Sequence, residues 1–130
     1  SERDSAMHDY PGSCHCGAVR FVVHRQSPIA EAVECDCSLC TKKGVLLVGA
    51  QEAELEIVQG QDDLNLYQFG SKTAHHWFCK HCGIHVLNRP RTAPERYAVN
   101  ARVLDAFASL RPGLTIIPFD GQNHPKDRRA

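Results

Sequence analysis

The chain has 130 residues, 42% of them hydrophobic and 23% charged, and its formal net charge is zero. That length fits one domain able to bury its own core, and the balanced charge argues against a nucleic-acid binder, whose footprint is a basic excess. No apolar run approaches the ~20 residues that cross a bilayer; the longest, "GVLLVGA", would make one strand.

The first residues, "SERDSAMHDYPG", are polar and lack the apolar core of a secretory signal. Residues 1–11 are expected to form a flexible leader, and the absence of an export signal points to a reducing, cytoplasmic setting. "GSCHCGAV" follows, with Cys14 and Cys16 two apart; in an extended strand such residues face the same side. "AVRFVVH" reads as a β-rich strand. Next comes "ECDCSLC", which puts Cys35, Cys37 and Cys40 into one short loop, with Lys42 and Lys43 directly after it. A pair of adjacent lysines is ordinarily solvated; beside an anionic metal site they, or an arginine folded nearby, would offset charge or pair with substrate carboxylates.

The middle of the chain alternates. "VLLVGA", "ELEIVQG" with Leu55 and Ile57 on one face, "LNLYQFG", "TAHHWFC", "GIHVLNR" and "RYAVNA" all carry the period-two, turn-bounded signature of strands. If Thr73 to Cys79 is a strand, His75 and His76 point to opposite faces. "ARVLDAFASL" is the best helix candidate, with Val103, Leu104, Phe107 and Leu110 at helical spacing before "RPG". Residues 12–125 are expected to form a single domain, mainly antiparallel β with little helix, and residues 126–130 a charged tail.

Seven cysteines are an odd number, which fits a disulfide framework poorly. Cys79 and Cys82 form a zinc-knuckle pattern in "FCKHCGIH": two intervening residues turn both sulfurs to one point, and Gly83 supplies the positive φ of the turn. The most economical division is four plus three. Cys14, Cys16, Cys79 and Cys82 would close a structural zinc site whose binding free energy is also folding free energy. Cys35, Cys37 and Cys40 would supply three ligands to a second, more labile zinc with one position open, the mark of a catalytic site. Other readings stand beside it. The triplet could recruit His15, His75, His76, His81 or His85 and be structural too. The pairs could group differently, thiolates alone could hold an iron–sulfur cluster, and "CSLC" could be a redox pair, although no βαβ pattern surrounds it.

With these segments in view the sequence resembles the glutathione-dependent formaldehyde-activating enzyme family, which includes centromere protein V-type proteins. "GSCHCGAVRF", "ECDCSLCTKKG", "YQFGSKTAHHWFCKHCGIHVL", "YAVNARVLD" and "PFDGQNHP" carry the resemblance in order from Gly12 to Pro125. It implies a β-tent type fold, a structural zinc on Cys14, Cys16, Cys79 and Cys82, and a catalytic zinc on Cys35, Cys37 and Cys40. The implied activity is that of a carbon–sulfur lyase, joining or separating formaldehyde and glutathione as S-(hydroxymethyl)glutathione. The implied partner is a small thiol such as glutathione, with no membrane and no nucleic acid. A non-catalytic zinc-stabilised interaction module is the alternative, as is a metal- or thiol-handling protein without turnover. The sequence singles out no general acid and no glutathione-binding residue.

Overall fold

The computed structural model describes residues 7–121. Its ten strands form two sheets. The smaller is antiparallel, in the order β1 (His8–Ser13), β2 (Arg20–Arg25), β5 (Leu55–Gln59). The larger has seven strands in the order β10 (Thr115–Phe119), β3 (Glu31–Cys35), β4 (Leu47–Ala50), β9 (Tyr97–Asn100), β8 (His85–Arg89), β7 (His75–Cys79), β6 (Leu64–Tyr67). All its pairings are antiparallel except β10 with β3. Helix is confined to α1 (Ser38–Lys43), α2 (Phe107–Leu110) and short 3-10 turns, and no helix among the described residues is long and apolar enough to cross a membrane.

Alternation along each strand builds two different faces on the large sheet. Val48 on β4 stands opposite Val99 on β9, Val99 opposite Leu87 on β8, and Leu87 opposite Trp77 on β7. This row packs into one apolar cluster with Phe21 and Val23 of β2, so the two sheets meet there. One residue along each strand, the row is Gly49, Ala98, Asn88 and His76. It faces the other way, and all four residues border the cavity described below.

Two expectations change. The flexible segment expected over residues 1–11 does not hold for its last part: residues 8–11 are in the sheet, where β1 pairs with β2 from His8↔Arg25 onward. Tyr10 Oη also accepts from the Ile29 amide at 3.0 Å. The single helix over Ala101–Leu110 is broken into a 3-10 turn (Ala101–Val103) and α2. Leu104 interrupts it in an extended conformation, buried in the core and bridged to Gly12, so tertiary packing overrides local helical spacing. The expected mainly antiparallel character holds, with one parallel pairing. β10 adds a parallel edge strand, and an edge position tolerates Pro118, which has no amide to donate. The charged tail, residues 126–130, lies outside the described residues.

Candidate functional site

The first cysteine cluster forms where β1 and β7 run out. Cys14 and Cys16 follow β1, Cys79 ends β7 and Cys82 sits in the turn to β8. The four sulfurs lie within 4.8 Å of one another. Cys14 and Cys16 are 3.6 Å apart and Cys16 and Cys79 3.7 Å; regular tetrahedral zinc with ~2.3 Å bonds needs about 3.8 Å. Backbone amides point at the sulfurs: Val19 N–H donates to Cys14 Sγ at 3.3 Å and His81 N–H to Cys79 Sγ at 3.4 Å. Gly83 takes φ +76° and returns its amide to Cys79 O at 2.8 Å, closing the knuckle turn. Burial opposes ionisation of Cys82, but the amides of Cys16 and Ile84 outweigh it and hold the thiol at about 6. The donor set, spacing and amide cradle therefore fit a tetrahedral thiolate-bound metal such as zinc.

The second cluster is also brought together, though by a different local structure. The loop expected for Cys35, Cys37 and Cys40 is in fact the end of β3 and the start of α1. Cys35 is the last residue of the strand, Cys37 is the N-cap, and Cys40 is buried within the helix. The cap is made by sulfur: Cys40 N–H donates to Cys37 Sγ at 3.3 Å, while Cys37 N–H donates to Cys35 Sγ at 3.4 Å. The three sulfurs lie within 4.8 Å of one another. Hydrogen bonds from the Cys35 and Cys40 thiols hold Cys37 far below the usual thiol range. Being hydrogen-bonded to Cys37 raises Cys35, and crowding by both neighbours raises Cys40. One sulfur thus ionises at the expense of the others, a conflict that a bound cation relieves.

Among the described residues no histidine, cysteine or carboxylate completes this trio. The candidate histidines are engaged or placed elsewhere. His81 contacts Asp63 at 2.9 Å, His75 stacks on Trp77, and His15 is exposed beside the first cluster. His85 lies between Lys43 and Asn88, and His76 lies in the cavity floor beside Asn88. His75 and His76 do point to opposite faces.

The three sulfurs form part of the wall of a cavity of about 280 Å³. Its floor is the Gly49–Ala98–Asn88–His76 row, and Phe69 and Phe119 also line it. Arg91 and Arg96 also border it, and among the described residues no carboxylate does. Sequence reasoning missed these arginines, together with Asn88 and Gly121. Gly121 N–H donates to Asp36 Oδ1 at 2.8 Å, and Arg91 Nη2 donates to Gly121 O at 3.0 Å. This locks the "PFDG" segment against the cysteines. The lysines divide: Lys42 is exposed, whereas half-buried Lys43 turns to His85 at 2.9 Å.

The match to known proteins covers most of the chain. A family model described as glutathione-dependent formaldehyde-activating enzyme matches residues 9–117. The crystal structure of a Rhodobacter sphaeroides protein, a Northeast Structural Genomics target, is 39% identical in sequence with a TM-score of 0.76. The match covers 84% of this chain and 99% of that one.

Proposed function

Because this chain belongs to the glutathione-dependent formaldehyde-activating enzyme family, we propose that it is a zinc-dependent carbon–sulfur lyase acting on the adduct of a glutathione-like thiol and an aldehyde. Cys14, Cys16, Cys79 and Cys82 take the structural role, and Cys35, Cys37 and Cys40 hold the reactive metal. The observation that carries this reading is the cavity with three mutually close sulfurs in its wall and no fourth protein ligand among the described residues. A zinc ion on those sulfurs would offer its open position to a soft ligand and favour the ionised form of a bound thiol.

The cavity suits such a substrate. Its walls are mostly apolar, so they exclude water from the reacting atoms. Arg91 and Arg96 place positive charge at its border, where the carboxylates of a glutathione-like thiol would be drawn. Addition of the thiol to formaldehyde forms the sulfur–carbon bond, moves the carbonyl π pair to oxygen and carries the thiol proton to that oxygen. Cleavage is the reverse, with no oxidant or reductant.

The direct test is nuclear magnetic resonance of an equilibrium mixture of glutathione, formaldehyde and S-(hydroxymethyl)glutathione with catalytic protein. We expect the protein to accelerate exchange between free and adduct forms, and a folded Cys37→Ser variant not to. If both leave the exchange at its spontaneous rate, the chain is a zinc-stabilised module and not this lyase.

A further inference from the structure

Asn88 and His76 are polar side chains in the cavity floor, set beside Gly49 and Ala98 on the same face of the sheet. Asn88 is 4% exposed and His85 7%. Burying an amide and an imidazole side by side costs free energy unless each is hydrogen-bonded, and here the bonds form a directed chain. Lys43 Nζ lies 2.9 Å from His85 Nδ1. An ammonium group can only donate, so Nδ1 is the bare ring nitrogen and the ring proton sits on Nε2. His85 Nε2 lies 3.1 Å from Asn88 Oδ1 and donates to it. Asn100 Nδ2 donates to the backbone carbonyl of His85 at 2.9 Å and so fixes the main chain that carries the ring. With its carbonyl end taken, Asn88 has its amino end available to the cavity it borders.

The placement suits a reacting oxygen. Cys37 and Cys40 pack in one cluster with Ala98, and Ala98 is the residue directly opposite Asn88 on the neighbouring strand. The amide therefore stands about one strand spacing, ~4.8 Å, from the residue on which the sulfurs rest. A carbonyl carbon meeting a sulfur at the trio would lie in the same cavity that Asn88 borders.

We propose that the Asn88 side-chain amide is the oxyanion donor of this site, with His85 and Lys43 as the positioning residues that keep its N–H turned to the substrate. The inference rests on the lyase reading above. In the addition direction the sulfur electron pair forms the S–C bond and the carbonyl π pair withdraws onto oxygen. An Asn88 N–H stabilises that oxygen until the proton lost by the thiol reaches it, so one thiol and one formaldehyde become one S-hydroxymethyl thioether with no atom left over. In cleavage the same N–H holds the oxygen as the S–C bond breaks.

The closing experiment combines kinetics with nitrogen-15 resonance. Uncharged, near-isosteric Asn88→Leu controls for the negative charge that Asn88→Asp adds; Asn88→Asp keeps the shape and the acceptor for His85 and replaces the N–H donors with oxygen. We expect its kcat to fall roughly 100-fold or more, the size of losing one oxyanion donor, with KM for the thiol and zinc content near the parent values. Lys43→Met is expected to lower kcat about tenfold at unchanged KM, since the amide can then turn over, and Lys43→Arg, also donor-only, to restore it. In the parent, His85 should carry its proton on Nε2 and none on Nδ1 at neutral pH; this readout needs no activity and no variant. A proton on Nδ1, or an Asn88→Asp enzyme as fast as a parent that turns over, overturns the proposal alone. A parent with no turnover overturns the lyase reading and takes this proposal with it.

Discussion

An ideal methyl group on Gly121 would stand 2.7 Å from Cys35 Sγ and 2.8 Å from Cys37 Cβ. Neither neighbour is the loose end of a long side chain, so the strand, the cap or the sulfurs would have to move. Overpacking of this kind costs roughly 1–3 kcal/mol. Gly121→Ala is therefore expected to weaken metal retention at the trio roughly 10–100-fold while leaving the four-cysteine cluster loaded. Competition with a chelator of known affinity would check this; equal retention at both sites would show that the close approach carries no consequence. The buried imidazoles give a second prediction at this scale. Burial, with Lys43 adding, lowers His85 to about 3 and His76 to about 4. Below an ordinary pKa near 6.5 the unfolded chain takes up protons that the folded chain refuses. The resulting stability is complete above pH 6.5 and is lost as the pH falls through 4 to 3, by an amount on the order of a few kcal/mol. Urea unfolding at a series of pH values should show this slope, and His85→Gln should flatten it. An unchanged slope would mean that these rings do not set it.

One step along a strand separates the core from the cavity: Leu87 packs between the sheets and Asn88 borders the site. Removing Phe21, which is 1% exposed and joins the two sheets, should cost ~3–5 kcal/mol on substitution by alanine. The two cysteine groups should fail differently. On the proposed assignment Cys82→Ser would remove a ligand from the cluster that lies between the ends of β1 and β7 and the start of β8, where metal binding would contribute on the order of 10–16 kcal/mol, so circular dichroism should show lost structure. Cys37→Ser should keep its fold, because α1 and β3 are held independently by sheet pairing and by Val45 and Leu47. If both variants unfold alike, the trio is structural. These groups were legible because their cysteines lie two or three residues apart, and the strands were legible wherever apolar and polar residues alternate. β10 was not: Pro118 breaks the strand signature, and only pairing with β3, more than eighty residues earlier in the chain, makes it a strand. α1 was hidden because a cysteine, not serine or aspartate, caps it. Asn88 read as an ordinary strand residue, since its partner chain runs through His85 to Lys43, which is distant in sequence.

Across the whole molecule the two sheets and the two cysteine clusters form one arrangement. The shared core fixes the large sheet from one side, the four-cysteine cluster fixes one end of β7 and β8, and the opposite face is left to the cavity and the trio. The family match runs across nearly all of this, from residue 9 to 117. The central claim is that the trio keeps a ligand position for an incoming thiol. Cobalt-substituted protein under reducing conditions tests it most directly, because thiolate-to-cobalt absorption reports the number of bound sulfurs. We expect two metals per chain and, on adding glutathione, a rise in that absorption as seven cobalt–sulfur bonds, four and three from the two clusters, become eight. A single metal per chain, or a spectrum that glutathione leaves unchanged, would contradict the account.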